Sequence, residues 1–228
     1  MSVKSKPTGI KERRVFLLDD HDFLRSGLKV FIEQEPDFKI CGEHDRAESA
    51  VERILAAAPD VVILDITLPD GSGLDITKAV RAAGFGGAIL VLTMHDDSHY
   101  AVRILQAGAN GYIMKNLKSA LVLKALRAVA EGKLYASEPV RDRLEQLKRR
   151  NPPSHDQQGI DCLPDRQVQI LQLMGIGLNA SEIAKRLGIS EPTVHVQRSR
   201  MKKTLGMNNL SELAHFAVVN FKPRGDAT

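Results

Sequence analysis

With 228 residues, 43% of them hydrophobic, the chain is long enough for one large domain or two small ones with packed cores. A formal charge of +4, from 32 Lys and Arg against 28 Asp and Glu, points to a polyanionic partner and excludes histone-like or ribosomal charge density. Two cysteines, Cys41 and Cys162, lack metal-ligand spacing; they exclude a disulfide scaffold and imply a reduced, cytoplasmic protein.

The first segment, 1–12, reads as a basic tail with Lys4, Lys6 and Lys11, and Arg13 and Arg14 follow it. No signal-peptide core comes after these charges, and no apolar stretch approaches a membrane span in length, so no membrane association is expected.

Four short apolar runs come next, each ending on a residue able to handle a phosphoryl group. Val15-Phe16-Leu17-Leu18 runs into Asp19-Asp20, Val61-Val62-Ile63-Leu64 into Asp65, Ile89-Leu90-Val91-Leu92 into Thr93, and Tyr112-Ile113-Met114 into Lys115. Runs this short and apolar predict strands buried on both faces, as in a parallel sheet covered by helices. A weaker strand is expected at 38–43, and helix patterns at 22–35, 47–57, 73–83, 98–107 and 119–131 alternate with the strands. Ligands of such sheets sit at the carboxyl ends of the strands, so the carboxylates, hydroxyl and ammonium should gather at one edge. A lone Asp after an apolar run is about as often a helix N-cap. Four such coincidences in one order, with the turn Leu68-Pro69-Asp70-Gly71-Ser72-Gly73 after Asp65, favour a phosphoryl site.

From 137 to 150 the pattern becomes charged around Val140, Leu144 and Leu147, whose spacing predicts a one-faced helix. Asn151-Pro152-Pro153-Ser154-His155-Asp156-Gln157-Gln158-Gly159 then breaks any helix and reads as an interdomain linker. Beyond it only helix periodicity remains. Val168, Ile170, Leu171 and Met174 mark a first helix, Asn179-Ala180-Ser181-Glu182 a capping-box start, and Gly188 the end of a short second helix. Ser190 caps the next, with Pro192 tolerated in its first turn. Two helices around Gly188-Ile189-Ser190 form a helix-turn-helix pattern. The helix after this turn carries His195, Gln197, Arg198, Arg200, Lys202 and Lys203, with no acid between Glu191 and Glu212. A last helix at 210–219 offers Leu213, Phe216 and Ala217 to a core or to a second copy.

The order Asp19-Asp20, Asp65, Thr93, Tyr112, Lys115 resembles a two-component receiver domain. That resemblance implies an α/β fold with a doubly wound five-stranded parallel sheet, a Mg2+ (or Mn2+) ion, and phosphoryl transfer from a histidine kinase to Asp65. Asp20, Asp65 and the backbone carbonyl of Thr67 would hold the cation, with Asp19 acting mostly through water. Lys115 would pair with the anionic site, Thr93 would bond the phosphoryl group, and Tyr112 would fill the space Thr93 vacates.

Leu163, Arg166, Ile170-Leu171, Glu182-Ile183-Ala184, Leu187-Gly188-Ile189-Ser190, Thr193-Val194 and Leu205-Gly206 resemble a LuxR-type DNA-binding domain. The pair of resemblances points to the NarL/FixJ class of response regulators. It implies double-stranded DNA as a partner and a homodimer as the active form. Arg198, Lys202 and Lys203 would contact phosphates, and His195, Val196 and Gln197 would face base edges, with Thr193 and Arg200 in the same interface. Pro164 and Gln167 depart from the family's capping Thr and its Glu, so the domain's first helix should start differently.

The organisation expected is a basic tail 1–12, a receiver 13–135, a helical then flexible linker 136–160, a small all-α helix-turn-helix domain 161–221 and a tail 222–228. No enzymatic activity is expected. A Mg2+-dependent phosphatase of the haloacid-dehalogenase type would want a second Asp two residues after the nucleophile, where Thr67 stands. An atypical regulator of the same fold, controlled without phosphate, is the other alternative, and the filled receiver positions argue against it.

Overall fold

The computed structural model describes residues 12–93, 98–115, 119–149 and 159–221. By packing, the chain divides into two units, 1–93 with 104–136 and 94–103 with 137–228. The expected tails and most of the Pro-rich linker lie outside the described residues.

The first unit is built on β1 (Arg13–Leu18), α1 (Asp22–Glu33), β2 (Phe38–His44), α2 (Ala50–Ala57) and β3 (Val61–Asp65). A small hairpin follows, β4 (Thr67–Leu68) and β5 (Gly71–Ser72), then α3 (Gly73–Ala82), β6 (Ala88–Thr93), α4 (Ser98–Gln106), β7 (Gly111–Met114) and α5 (Ser119–Ala130). The residues of α4 divide between the two units.

Five strands form one parallel sheet in the order β2-β1-β3-β6-β7. The chain steps outward from β1 to β2 and then crosses back to β3. The strand order therefore reverses between β1 and β3, and their carboxyl ends open the crevice where doubly wound sheets bind ligands. Alternation along the strands gives each face its own apolar set. Val15, Leu17, Ile63, Leu90, Leu92 and Ile113 pack with Leu28 and Ile32 of α1 and Val122, Ala125, Leu126 and Val129 of α5. Phe16, Leu18, Val62, Leu64, Ile89 and Val91 are equally buried and point to the opposite face. Each such side chain contributes roughly 1.5–3 kcal/mol, which offsets the conformational entropy lost when the backbone is ordered.

The strands run a little past the apolar runs because ladder pairing does not require apolar side chains. Arg13 and Arg14, for example, pair with Phe38 and Lys39. α2 starts three residues later than its pattern predicts, and the cause is a distant carboxylate. Asp70 accepts from the backbone N–H groups of Ala47 at 2.7 Å and Glu48 at 2.9 Å, and Ser49 follows in the left-handed region at φ +57°.

The second unit contains α6 (Glu138–Arg149), a 3-10 turn (Ile160–Cys162), α7 (Asp165–Gly175), α8 (Ala180–Leu187), α9 (Glu191–Thr204) and α10 (Leu210–Phe221). α7 starts after Pro164 with no side-chain capping bond, which is the altered start expected from the missing Thr. α8 has the full capping box between Asn179 and Glu182, and Gly188 ends it at φ +62°. Val168, Ile170, Leu171, Ile183, Leu187, Val194, Met201, Leu213 and Ala217 form the buried interior. α10 extends two residues beyond its expected end because Phe221 is buried as well.

Candidate functional site

Strand register brings the predicted phosphoryl residues together. Leu18 pairs with Leu64, so Asp19 and Asp65 are the next residues of neighbouring strands. Thr93 pairs with Met114, and the Lys115 backbone N–H donates to the Thr93 carbonyl at 2.6 Å. Gly73 closes the loop after Asp65. A Cβ there would lie 2.6 Å from the Asp65 carbonyl oxygen and 2.9 Å from the Ile66 Cα, so only glycine lets α3 begin against that backbone.

Lys115 Nζ lies 2.7 Å from both Asp19 Oδ2 and Asp65 Oδ2, and its side chain is only 2% exposed. Asp65 Oδ1 also accepts from the Thr67 backbone N–H at 3.2 Å. One ligand atom each from Asp19, Asp20, His21 and Asp65 lies within 4.8 Å of all the others. Burial pushes the Asp65 carboxyl up to about 6, and the charge of Asp19 adds to this against the pull of Lys115. Asp19 and Asp65 share one buried ammonium with Asp20 close by, and so many carboxylates in a desolvated pocket favour a bound cation. Carboxylate oxygens are the donors that Mg2+ and Mn2+ prefer.

Thr93 and Tyr112 are both buried, at 1% and 6% exposure. An inward swing of Tyr112 therefore has no exposed starting position in this structure. Asp96, where the expected switch segment begins, lies outside the described residues. Thr67 occupies the start of β4, where the structure assigns its amide to Asp65.

On α9 the residues expected to meet DNA separate into two groups. His195, Val196, Arg200 and Lys203 are exposed, whereas Thr193, Gln197, Arg198 and Lys202 are half-buried. Ser190 Oγ accepts from the Thr193 amide at 3.3 Å and caps the helix. Gln197 Oε1 accepts from Gln167 Nε2 of α7 at 3.1 Å, and Lys202 Nζ donates to the Asn208 carbonyl at 3.2 Å. The Gln167 departure noted in the sequence thus has a local partner in Gln197. Arg166 fixes α7 to the end of α8 by donating to the Leu187 carbonyl at 2.6 Å.

One residue of the pocket was missed from sequence. His21 stands directly in the acidic pocket, and the adjacency Asp19-Asp20-His21 was the available signal.

Residues 15–127 match the family model described as the response regulator receiver domain, and 161–217 match that of the LuxR family of bacterial regulatory proteins. The nitrate/nitrite response regulator NarL of Escherichia coli K12 is 32% identical over 200 residues, covering 88% of this chain and 92% of that protein. A nitrate/nitrite response regulator homologue from Haemophilus influenzae is 31% identical over 196 residues, covering 86% and 91%. Among solved structures, the RcsB response regulator of Salmonella typhimurium shares the fold, with a TM-score of 0.69 at 23% identity over 92% of this chain and 99% of that one. Strand-end chemistry, sheet order and the helix-turn-helix unit thus converge with these matches: the chain belongs to the two-component response regulators that join a receiver domain to a LuxR-type DNA-binding domain.

Proposed function

We propose that this protein is a transcription regulator switched by a phosphoryl group on Asp65. A histidine kinase supplies the group: the N–P bond of a phosphohistidine protonated on its other ring nitrogen breaks, an O–P bond forms on an Asp65 carboxylate oxygen, and the histidine leaves as neutral imidazole. Asp19, Asp20, Asp65 and the Thr67 carbonyl would hold Mg2+ or Mn2+, which would offset the repulsion between carboxylate and phosphate. Lys115 passes from the free carboxylate to the phosphoryl oxygens as a flexible point charge. Thr93 donates its hydroxyl to the same group, and Tyr112, buried on the neighbouring strand, relays the change by repacking in place and not by an inward swing.

The output is binding to double-stranded DNA as a homodimer. His195, Val196 and Arg200, on the exposed side of α9, face the groove, and Lys203 contacts phosphate. Gln197, Arg198, Lys202 and Thr193 support that face from its flanks. Phosphate contacts position such a helix and base contacts specify its sequence. The domain limits 13–135 and 161–221 enclose both family matches and belong to this reading.

The observation that carries the proposal is the buried Asp65 carboxylate held 2.7 Å from Lys115 beside Asp19 and Asp20. Incubation with a small acyl phosphate and Mg2+ should give one acid-labile aspartyl phosphate per chain, and none in Asp65→Asn. Full labelling of that variant would place the acceptor elsewhere.

A further inference from the structure

We infer that the acidic pocket accepts transition-metal ions as well as Mg2+, with His21 Nδ1 as a nitrogen ligand. This rests on the reading that the pocket holds a divalent cation, and it names which ions compete for it.

One imidazole nitrogen faces three carboxylates. Nδ1 of His21 lies 2.9 Å from Asp20 Oδ1, 3.3 Å from Asp19 Oδ1 and 3.8 Å from Asp65 Oδ2. Bonds of about 2.1 Å meeting at right angles around one cation place neighbouring donors about 3 Å apart and opposite donors about 4.2 Å apart. The three observed separations fall in or beside that range, as expected of donors that can share one ion.

The main chain at His21 is held against the pocket as well. The His21 backbone N–H donates to Asp19 Oδ1 at 2.9 Å. His21 occupies the N-cap position of α1, yet its side chain makes no capping bond, so the imidazole is committed to the pocket and not to the helix. With 52% of the side chain exposed, the ring forms the solvent side of the site.

Nitrogen among the donors changes the selectivity. Mg2+ gains little from imidazole because it prefers oxygen and keeps its waters. Affinity for mixed nitrogen and oxygen sites rises from Mn2+ through Co2+ and Ni2+ to Cu2+, with Zn2+ also well suited to imidazole. His21 should thus raise the affinity of the pocket for this series selectively, so that transition-metal supply becomes a second input to the same site.

The test is calorimetric titration of the untagged full chain with Mg2+ and with Co2+, for wild type, His21→Ala and His21→Asn. Asn retains a good N-cap residue but removes the nitrogen donor. In both variants the Co2+ dissociation constant should rise by at least the roughly tenfold that losing even an outer-sphere partner costs, and the Mg2+ constant should change less than about twofold. The visible absorption of the wild-type Co2+ complex should shift in both variants. Equal losses for the two metals, or an unchanged Co2+ constant, would overturn the inference while leaving the Mg2+ site in place. Failure of wild type to bind either metal would overturn the cation reading itself and this inference with it.

Discussion

At the scale of single residues, Asp65 combines poor solvation with a neighbouring carboxylate, and the protein bears the cost whenever no cation is present. Its proton affinity is raised on folding, from an ordinary value of 3.8 to about 6, chiefly by burial. The folded state therefore binds a proton more tightly than the unfolded chain, so between those values the stability contributed by this group falls as pH rises. Asp65→Asn removes the charge at similar volume. In the presence of a chelator at pH 7.5 the variant should be more stable than wild type, on the order of 2 kcal/mol. Near pH 5, where folded Asp65 is largely protonated, the difference should shrink. Thermal unfolding at the two pH values checks this, and a variant less stable than wild type at pH 7.5 would contradict it.

At the scale of elements, the loop between β3 and α3 links the carboxylate to the helices. Gly73 lets α3 start directly against the Asp65 carbonyl, and Asp70 from the same loop fixes the start of α2. Gly73→Ala would press a methyl group into backbone that has no side-chain freedom to yield. It should cost roughly 1–3 kcal/mol in urea unfolding, within the range for overpacking, and Gly27→Ala, where a Cβ meets nothing within 4 Å, is the control. Equal effects at the two sites would show that the close approach is unimportant. The sequence announced the strands of this sheet because runs such as Val61 to Leu64 are buried on both faces and cannot alternate. It announced α8 because a capping box is local. It could not announce where α2 begins, because the carboxylate that sets this position lies more than twenty residues away. Likewise the bond between Gln167 and Gln197 depends on how α7 meets α9, which no local pattern encodes.

For the whole molecule, the two units carry separable chemistry, a phosphoryl-accepting pocket and a basic reading helix. Strand ends in a fixed order made the pocket legible, since register alone places Asp19 beside Asp65 and Lys115 beside Thr93. The basic helix after the helix-turn-helix turn was legible in outline, because its Ser190 cap and its run of positive charge are local. Which residues lie on its open side was not, since that depends on the rotation of α9 against its neighbours. The most direct measurement of the link between pocket and reading helix is selection of genomic fragments by the purified chain, with and without a small acyl phosphate and Mg2+. Wild type should enrich a defined set of sites more strongly when the phosphodonor is present, and Asp65→Asn should give the same profile in both conditions. An identical wild-type profile with and without donor, at full phosphorylation, would contradict the account.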